Sequence, residues 1–165
     1  MLKEYLSRIN LRRLLLYALY LFLMLVLQTM VLTHIRPLGV CPFVLPAAVV
    51  AVGMFEGAGW GVVFGLLMGI FADMAFVEST VAFTVLFPAL AFGAGFVSQF
   101  FINRRFFAFM VAAAVGLLIT AVVQMLRVLV AEGFHSVMLG TAILQTLWSL
   151  PPAVLAYYPP AKWIE

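Results

Sequence analysis

Apolar residues run through this chain in long unbroken stretches, with polar residues gathered in short clusters between them. The first stretch, Leu14 to Leu32, leads into a polar corner carrying His34, Arg36, Pro37 and Pro42. The second is short, Phe43 to Phe55, contains Pro46, and ends at Glu56 and a glycine cluster. The third runs from Ala58 to Phe76, with Asp73 near its end and Glu78 to Thr80 beyond it. The fourth, Val81 to Ile102, holds Pro88 and stops at Asn103, Arg104 and Arg105. The fifth, Phe106 to Ala131, gives way to Glu132, Gly133 and His135, and the sixth, Val137 to Tyr158, contains Pro151 and Pro152. Barrel strands alternate apolar and polar positions, which these runs do not. A helix crossing the roughly 30 Å hydrocarbon core needs about 20 apolar residues. The pattern therefore predicts an all-α, polytopic membrane helical bundle of about six spans. It forms one integral membrane domain over residues 1–165, with the bundle proper at 14–158.

Composition agrees with this reading. Of 165 residues, 67% are hydrophobic and 9% charged, against about 25% charged in an ordinary soluble domain. The mean hydropathy is +1.22. Six spans with short connections leave no room for a soluble domain. Lys3, Arg8, Arg12 and Arg13 precede the first span, with Leu2, Leu6, Ile9 and Leu14 interleaved at helical spacing. Segment 1–13 thus reads as a basic lead-in, either an amphipathic interfacial helix or a short charged anchor. The first apolar run is longer than a signal-peptide core, and no small-x-small site follows it, so it reads as an uncleaved span.

Charge orients the bundle. Lys3, Arg8, Arg12, Arg13, Arg104, Arg105 and Lys162 fall on one side, and Arg36 and Arg127 on the other. Basic residues collect on the cytoplasmic side, so both termini are expected there, with 159–165 a cytoplasmic tail. Tyr157, Tyr158 and Trp163 suit an interfacial aromatic belt.

The most specific pattern lies in the third span. Gly57, Gly61, Gly65, Gly69 and Asp73 recur at intervals of four. Each step of four turns the helix by about 400°, so these positions form one slowly winding ridge. Glycines there let another backbone approach closely, as in small-xxx-small packing between membrane helices. The ridge serves either internal packing or a partner, with Gly61, Gly65 and Gly69 the expected contacts. Asp73 extends it and is either a functional carboxylate within the membrane or a cap for a neighbouring loop. Gln28, Gln99, Gln124, Gln145 and Arg127 read as interhelical hydrogen bonds or snorkelling anchors. Kinks at Pro88 and Pro151–Pro152 would shape the packing or open a cavity among spans four, five and six, the expected place for a membrane lipid or lipid-linked precursor; no nucleic-acid partner is expected.

Chemistry is sparse. A single cysteine, Cys41, and two histidines, His34 and His135, make neither a disulfide nor a metal cluster. There is no Ser/His/Asp set, no carboxylate pair within one span and no phosphate-binding loop; the glycine ridge follows no strand and lacks the terminal Lys-Ser/Thr. The expectation is a protein that is not an enzyme and carries no cofactor or metal.

A proline-led second span, Pro42-Phe43-Val44-Leu45-Pro46, comes before the ridge, which closes on an acid in Gly61 to Asp73. A small-residue fourth span follows, with Ala89, Ala91, Gly93, Ala94 and Gly95. From about Pro42 to Arg105 the chain resembles the MreD family of rod-shape-determining bacterial inner-membrane proteins. The resemblance implies a bundle similar to the S-components of energy-coupling-factor transporters. It also implies a non-catalytic scaffold that binds MreC, a single-span protein with a periplasmic domain. Through MreC it would reach the elongation synthase RodA with its transpeptidase, and the MreB filament. The alternative is a vitamin-binding S-component itself. S-components carry an Ala-xxx-Ala docking motif in the first span, where this chain has only Ala18.

Overall fold

The computed structural model of the protein describes residues 11–35, 39–76, 82–100, 106–133 and 137–164. Among these residues all regular structure is helical. Helix α1, Leu11–Val26, continues as a π-helical turn, Leu27–Leu32. Then come α2, Leu45–Glu56; α3, Ala58–Ala75; α4, Ala82–Phe100; α5, Phe106–Glu132; and α6, Val137–Ile164. The basic segment at 1–10 and the corners at 36–38, 77–81, 101–105 and 134–136 lie outside the described residues, as do the expectations attached to them.

Five helices are long and apolar enough to cross a membrane: Leu14–Leu32, Ala58–Ala75, Ala82–Gln99, Phe106–Val130 and Val137–Tyr158. They fit a multi-pass membrane protein. The expected second span differs from them. Helix α2 has 12 residues and rises only about 18 Å. Every residue from Leu45 to Phe55 is buried, and α2 touches all five other helices. A helix that is apolar all round belongs in a core, and Ala47, Ala48, Ala51 and Gly53 keep this one thin enough to be surrounded. The non-helical stretch Val40–Val44 ahead of it adds at most about 16 Å of reach. The expected second span is therefore an irregular stretch of five residues followed by a helix too short to cross a membrane alone.

Neighbouring helices alternate in direction. The turn from α2 to α3 is one residue, Gly57, at φ +89°, a left-handed conformation that glycine adopts without a Cβ penalty. Its N–H donates to the Gly53 carbonyl at 3.0 Å and its carbonyl accepts from the Gly61 N–H at 2.9 Å. Helix α6 continues through Pro159 and Pro160 to Ile164, where a tail was expected from residue 159. The apolar part still ends at Tyr158.

The glycine ridge lies against α4. A Cβ on Gly61 would fall 2.7 Å from the Gly53 Cα and 3.3 Å from the Ala91 carbonyl oxygen. On Gly65 it would meet the Phe87 oxygen at 2.9 Å and the Pro88 Cα at 3.0 Å, and on Gly69 the Phe83 oxygen at 2.5 Å. From Gly61 to Gly69, each step of four along α3 matches a step of four back along α4. Gly95 answers from α4, where a Cβ would stand 2.5 Å from the Ala58 nitrogen. Backbones this close gain dispersion contacts that bulkier side chains would prevent.

Aromatic clusters hold the two ends of the second crossing. Phe43 stacks on Phe83 at 5.3 Å and meets Phe76 edge-on at 5.6 Å. At the other end Phe55 packs on Tyr157 at 5.7 Å, and Tyr157 also touches Phe106 and Phe109. Tyr157 thus faces the bundle, where a place in the interfacial belt was expected; Tyr158 points outward.

Replacing Gly65 with Leu should disrupt the α3–α4 contact and lower stability by more than the ~1–3 kcal/mol typical of overpacking. Gly59→Ala, where an added Cβ meets nothing within 4 Å, should be neutral. Thermal unfolding of both variants in mild detergent checks the difference.

Candidate functional site: a polar clamp on the broken crossing

Irregular backbone inside a membrane protein is tolerated only where its polar groups find partners. Val40–Val44 is such a stretch, buried at Pro42, Phe43 and Val44. Gln28, fully buried on α1, holds both sides of it. Its Nε2 donates to the Pro42 carbonyl at 2.9 Å, and its Oε1 accepts from the Val44 N–H at 2.8 Å. From α6, Ser149 Oγ accepts from the Phe43 N–H at 2.8 Å and donates to the Gln145 carbonyl at 2.6 Å. Two helices from opposite ends of the chain thus supply the hydrogen bonds that a continuous helix would have made within itself.

Local structure explains how these side chains arrive. Gln28 stands in the π-helical turn, a wider coil than the α-helix, which shifts the register of α1 beside the break. The Thr33 hydroxyl closes the turn by donating to the Gln28 carbonyl at 2.7 Å. The Cys41 thiol donates to the Leu32 carbonyl at 3.4 Å, so the chain descends antiparallel to α1 from Leu32 toward Gln28. Pro46 sits in the first turn of α2, where a missing N–H removes no helical hydrogen bond. The N–H groups of Ala47 and Ala48 both donate to the Val44 carbonyl, at 3.0 and 3.2 Å.

Further polar contacts stitch α1, α5 and α6 together. Tyr20 Oη donates to the Ala156 carbonyl at 2.8 Å. Gln145 Nε2 donates to Gln124 Oε1 at 3.1 Å, joining α5 to α6. Thr120 Oγ1 donates to the Gly116 carbonyl at 2.8 Å. The buried polar residues among those described, Gln28, Thr120 and Ser149, are all hydrogen-bonded within the chain.

Asp73 has a place of its own. Its Oδ1 accepts from the Phe83 N–H at 3.2 Å. Its Oδ2 accepts from the Thr84 N–H at 2.8 Å and the Thr84 hydroxyl at 2.6 Å. Those N–H groups belong to the first turn of α4, which has no intrahelical acceptors for them. A carboxylate there also meets the positive end of the helix dipole. Asp73 therefore caps α4 and extends the α3–α4 contact that Gly61, Gly65 and Gly69 make by close approach. Gly57 forms the turn at the other end of the ridge. Gly61, Gly65 and Gly69 are buried against the chain's own helices, so this face of α3 is closed to an outside partner.

The small residues of α4 divide. Ala91 and Gly95 meet the ridge and α2, whereas Ala89 faces out and a Cβ on Gly93 would touch nothing. Two grooves among the described residues have apolar linings and none of the kinking prolines in them: one between α5 and α6, around Met125 and Met138, and one between α1 and α3. Of the clamp, only Gln28 stood out in the sequence. Ser149 was hidden because serine is common in helices, and its partner is a backbone N–H more than a hundred residues away. The proline pair Pro42 and Pro46 is the one local sign that regular helix starts late.

No protein-family model, curated protein or solved structure matches this chain.

Gln28→Leu would leave the Pro42 carbonyl and the Val44 N–H without these partners, at about 1–3 kcal/mol for each group. It should lower the unfolding temperature, and alkylation of Cys41, the chain's one cysteine, should speed up several-fold as the segment loosens. Unchanged alkylation would show that the clamp does not hold the break. Asp73→Ala should cost about 0.5–2 kcal/mol, the usual loss of a cap, and Asp73→Asn should recover part of that. Equal losses for both, measured by thermal unfolding, would mean that the charge itself is needed.

Proposed function

We propose that this protein is a non-catalytic membrane scaffold of bacterial cell-wall elongation, embedded in the inner membrane with both termini cytoplasmic. Its partner on this reading is an MreC-like single-span protein, which connects it to RodA with its transpeptidase and to MreB. The observation that carries the reading is where the polar side chains go. Gln28, Ser149, Asp73, Thr84, Gln124 and Gln145 bond to this chain's own backbone or to one another. Among the described residues, the outward faces of α1, α3 and α5 carry large apolar side chains. A bundle organised this way meets other molecules sideways, through the hydrocarbon region.

Helix α3 supports the same reading. Its ridge faces inward, while Trp60, Val63, Leu66, Ile70 and Met74 look outward along the opposite side. In lipid, such a face is held to a partner helix by packing rather than by the hydrophobic effect. The resemblance to MreD, strongest over Pro42 to Arg105, supplies the identity of the partner. The S-component reading shares the proposed bundle and differs in its occupant: a polar solute would need polar groups turned toward a cavity, and the grooves described above have apolar linings.

Affinity capture of the tagged full chain from its own membranes in mild detergent should recover a single-span protein with a periplasmic domain. Recovery instead of a transmembrane coupling subunit with ATPases would replace the scaffold reading with transport. Met74→Lys, on the outward face, should weaken capture without changing the unfolding temperature, whereas capture at the normal level would remove α3 as the contact.

A further inference from the structure

Proline has no N–H, so a proline inside a helix leaves the carbonyl four residues earlier without its helical donor. Helix α6 runs unbroken through two such pairs, Pro151–Pro152 and Pro159–Pro160. The carbonyls concerned are those of Leu147 and Trp148, then Leu155 and Ala156. Ala156 shows how the chain answers when a freed carbonyl faces the bundle. It is fully buried, and its carbonyl accepts from Tyr20 Oη at 2.8 Å. A donor on α1 thus stands in for the N–H that Pro160 lacks. Leu155 lies about 5 Å from the end of the apolar stretch, where water and headgroups reach.

The middle pair is placed differently. Leu147 and Pro151, which flank the first freed carbonyl, are both exposed, and Trp148 is 39% exposed. Donors on the neighbouring turns are committed elsewhere. Thr146 Oγ1 donates to the Ala142 carbonyl at 2.9 Å, Ser149 Oγ to the Gln145 carbonyl at 2.6 Å, and Gln145 Nε2 to Gln124 Oε1 at 3.1 Å. Depth decides what else can reach. The apolar part of α6 spans 22 residues, Val137–Tyr158, and Leu147 and Trp148 stand about 15 Å from either end of it. That is the midplane of a hydrocarbon core about 30 Å thick. Headgroups and water stay near the surface, and acyl chains carry no donor. An open carbonyl at this depth is costly, and prolines are tolerated in membrane helices where a neighbouring helix can satisfy the freed group.

We propose that the middle of α6 docks a membrane helix of another protein, which donates from a serine, threonine, asparagine or glutamine to the Leu147 and Trp148 carbonyls. The rest of that face, at Ile143 and Leu155, is apolar, so the polar contact is confined to one depth. In hydrocarbon neither helix satisfies its polar group alone, so the bond selects the partner and fixes its register. The contact lies on a different helix from the α3 face. It goes beyond the scaffold reading and does not depend on it.

The test places the photocrosslinker p-benzoylphenylalanine at Leu147 of the full chain in its own membranes, with Val115 on the outward face of α5 as the comparison. Crosslinked peptides are mapped by mass spectrometry. Leu147 should capture a membrane-spanning segment that carries such a donor, several-fold more than Val115 does. Pro151→Ala with Pro152→Ala restores both N–H groups. It should cut the yield at Leu147 several-fold while the unfolding temperature stays equal or rises. Replacing the partner's donor with alanine should lower the yield in the original chain and not in the proline variant, which separates a lost hydrogen bond from a changed helix shape. Pro151→Ala alone serves if the double variant does not fold. Capture of a segment without a donor, of lipid alone or of a second copy of this chain would overturn the proposal. So would a yield unmoved by the proline replacements.

Discussion

A backbone without water must find its hydrogen-bond partners within the protein, and the second crossing meets that demand in an unusual way. Residues Val40–Val44 are not helical, yet Pro42, Phe43 and Val44 are buried. Each unsatisfied group in such a place costs several kcal/mol. Gln28 from α1 and Ser149 from α6 provide the partners. This requirement sets much of the architecture. It brings helices from opposite ends of the chain to one point, selects a π-helical turn beside the break, and lets a helix of 12 residues stand where a full span would otherwise run.

Around that centre the packing follows side-chain size. Helix α2 is surrounded because it is slender, and α3 and α4 meet at backbone distance because glycine faces them at Gly61, Gly65, Gly69 and Gly95. Asp73 then turns the same contact into a cap for α4. The bundle thus combines two kinds of adhesion: close van der Waals contact on the α3–α4 side, and point hydrogen bonds on the α1–α6 side. Close contact leaves no room between helices. Point bonds do, and the apolar groove between α1 and α3 lies where one kind gives way to the other.

The functional reading rests on the same division. Among the described residues, Gln28 and Ser149 hold irregular backbone, and Gln124 and Gln145 join α5 to α6. The outward faces of α1, α3 and α5 carry large apolar side chains, such as Phe22, Phe71 and Phe107. A bundle of this construction is suited to lateral contact through its apolar faces, which is what the scaffold proposal requires.

Hydropathy by itself determined the helical bundle and five of its long helices to within a few residues, because the thickness of the hydrocarbon fixes how long an apolar run must be. The spacing of Gly61, Gly65, Gly69 and Asp73 determined that they share one face, since helical geometry is local, whereas Gly57, one step earlier in the same pattern, forms the turn ahead of the helix. Which molecule meets that face was not written there: a glycine ridge is equally smooth to a partner and to the chain's own α4. The second apolar run, Phe43 to Phe55, is helical from Leu45 onward, but it did not reveal that the chain leading into it is irregular and buried at Pro42, Phe43 and Val44. Its fate depends on hydrogen bonds from Gln28 and Ser149, residues 14 and 106 positions from their partners at Pro42 and Phe43. Contacts so distant along the chain exist only once the helices have assembled, so the tertiary structure alone decided the break and the clamp.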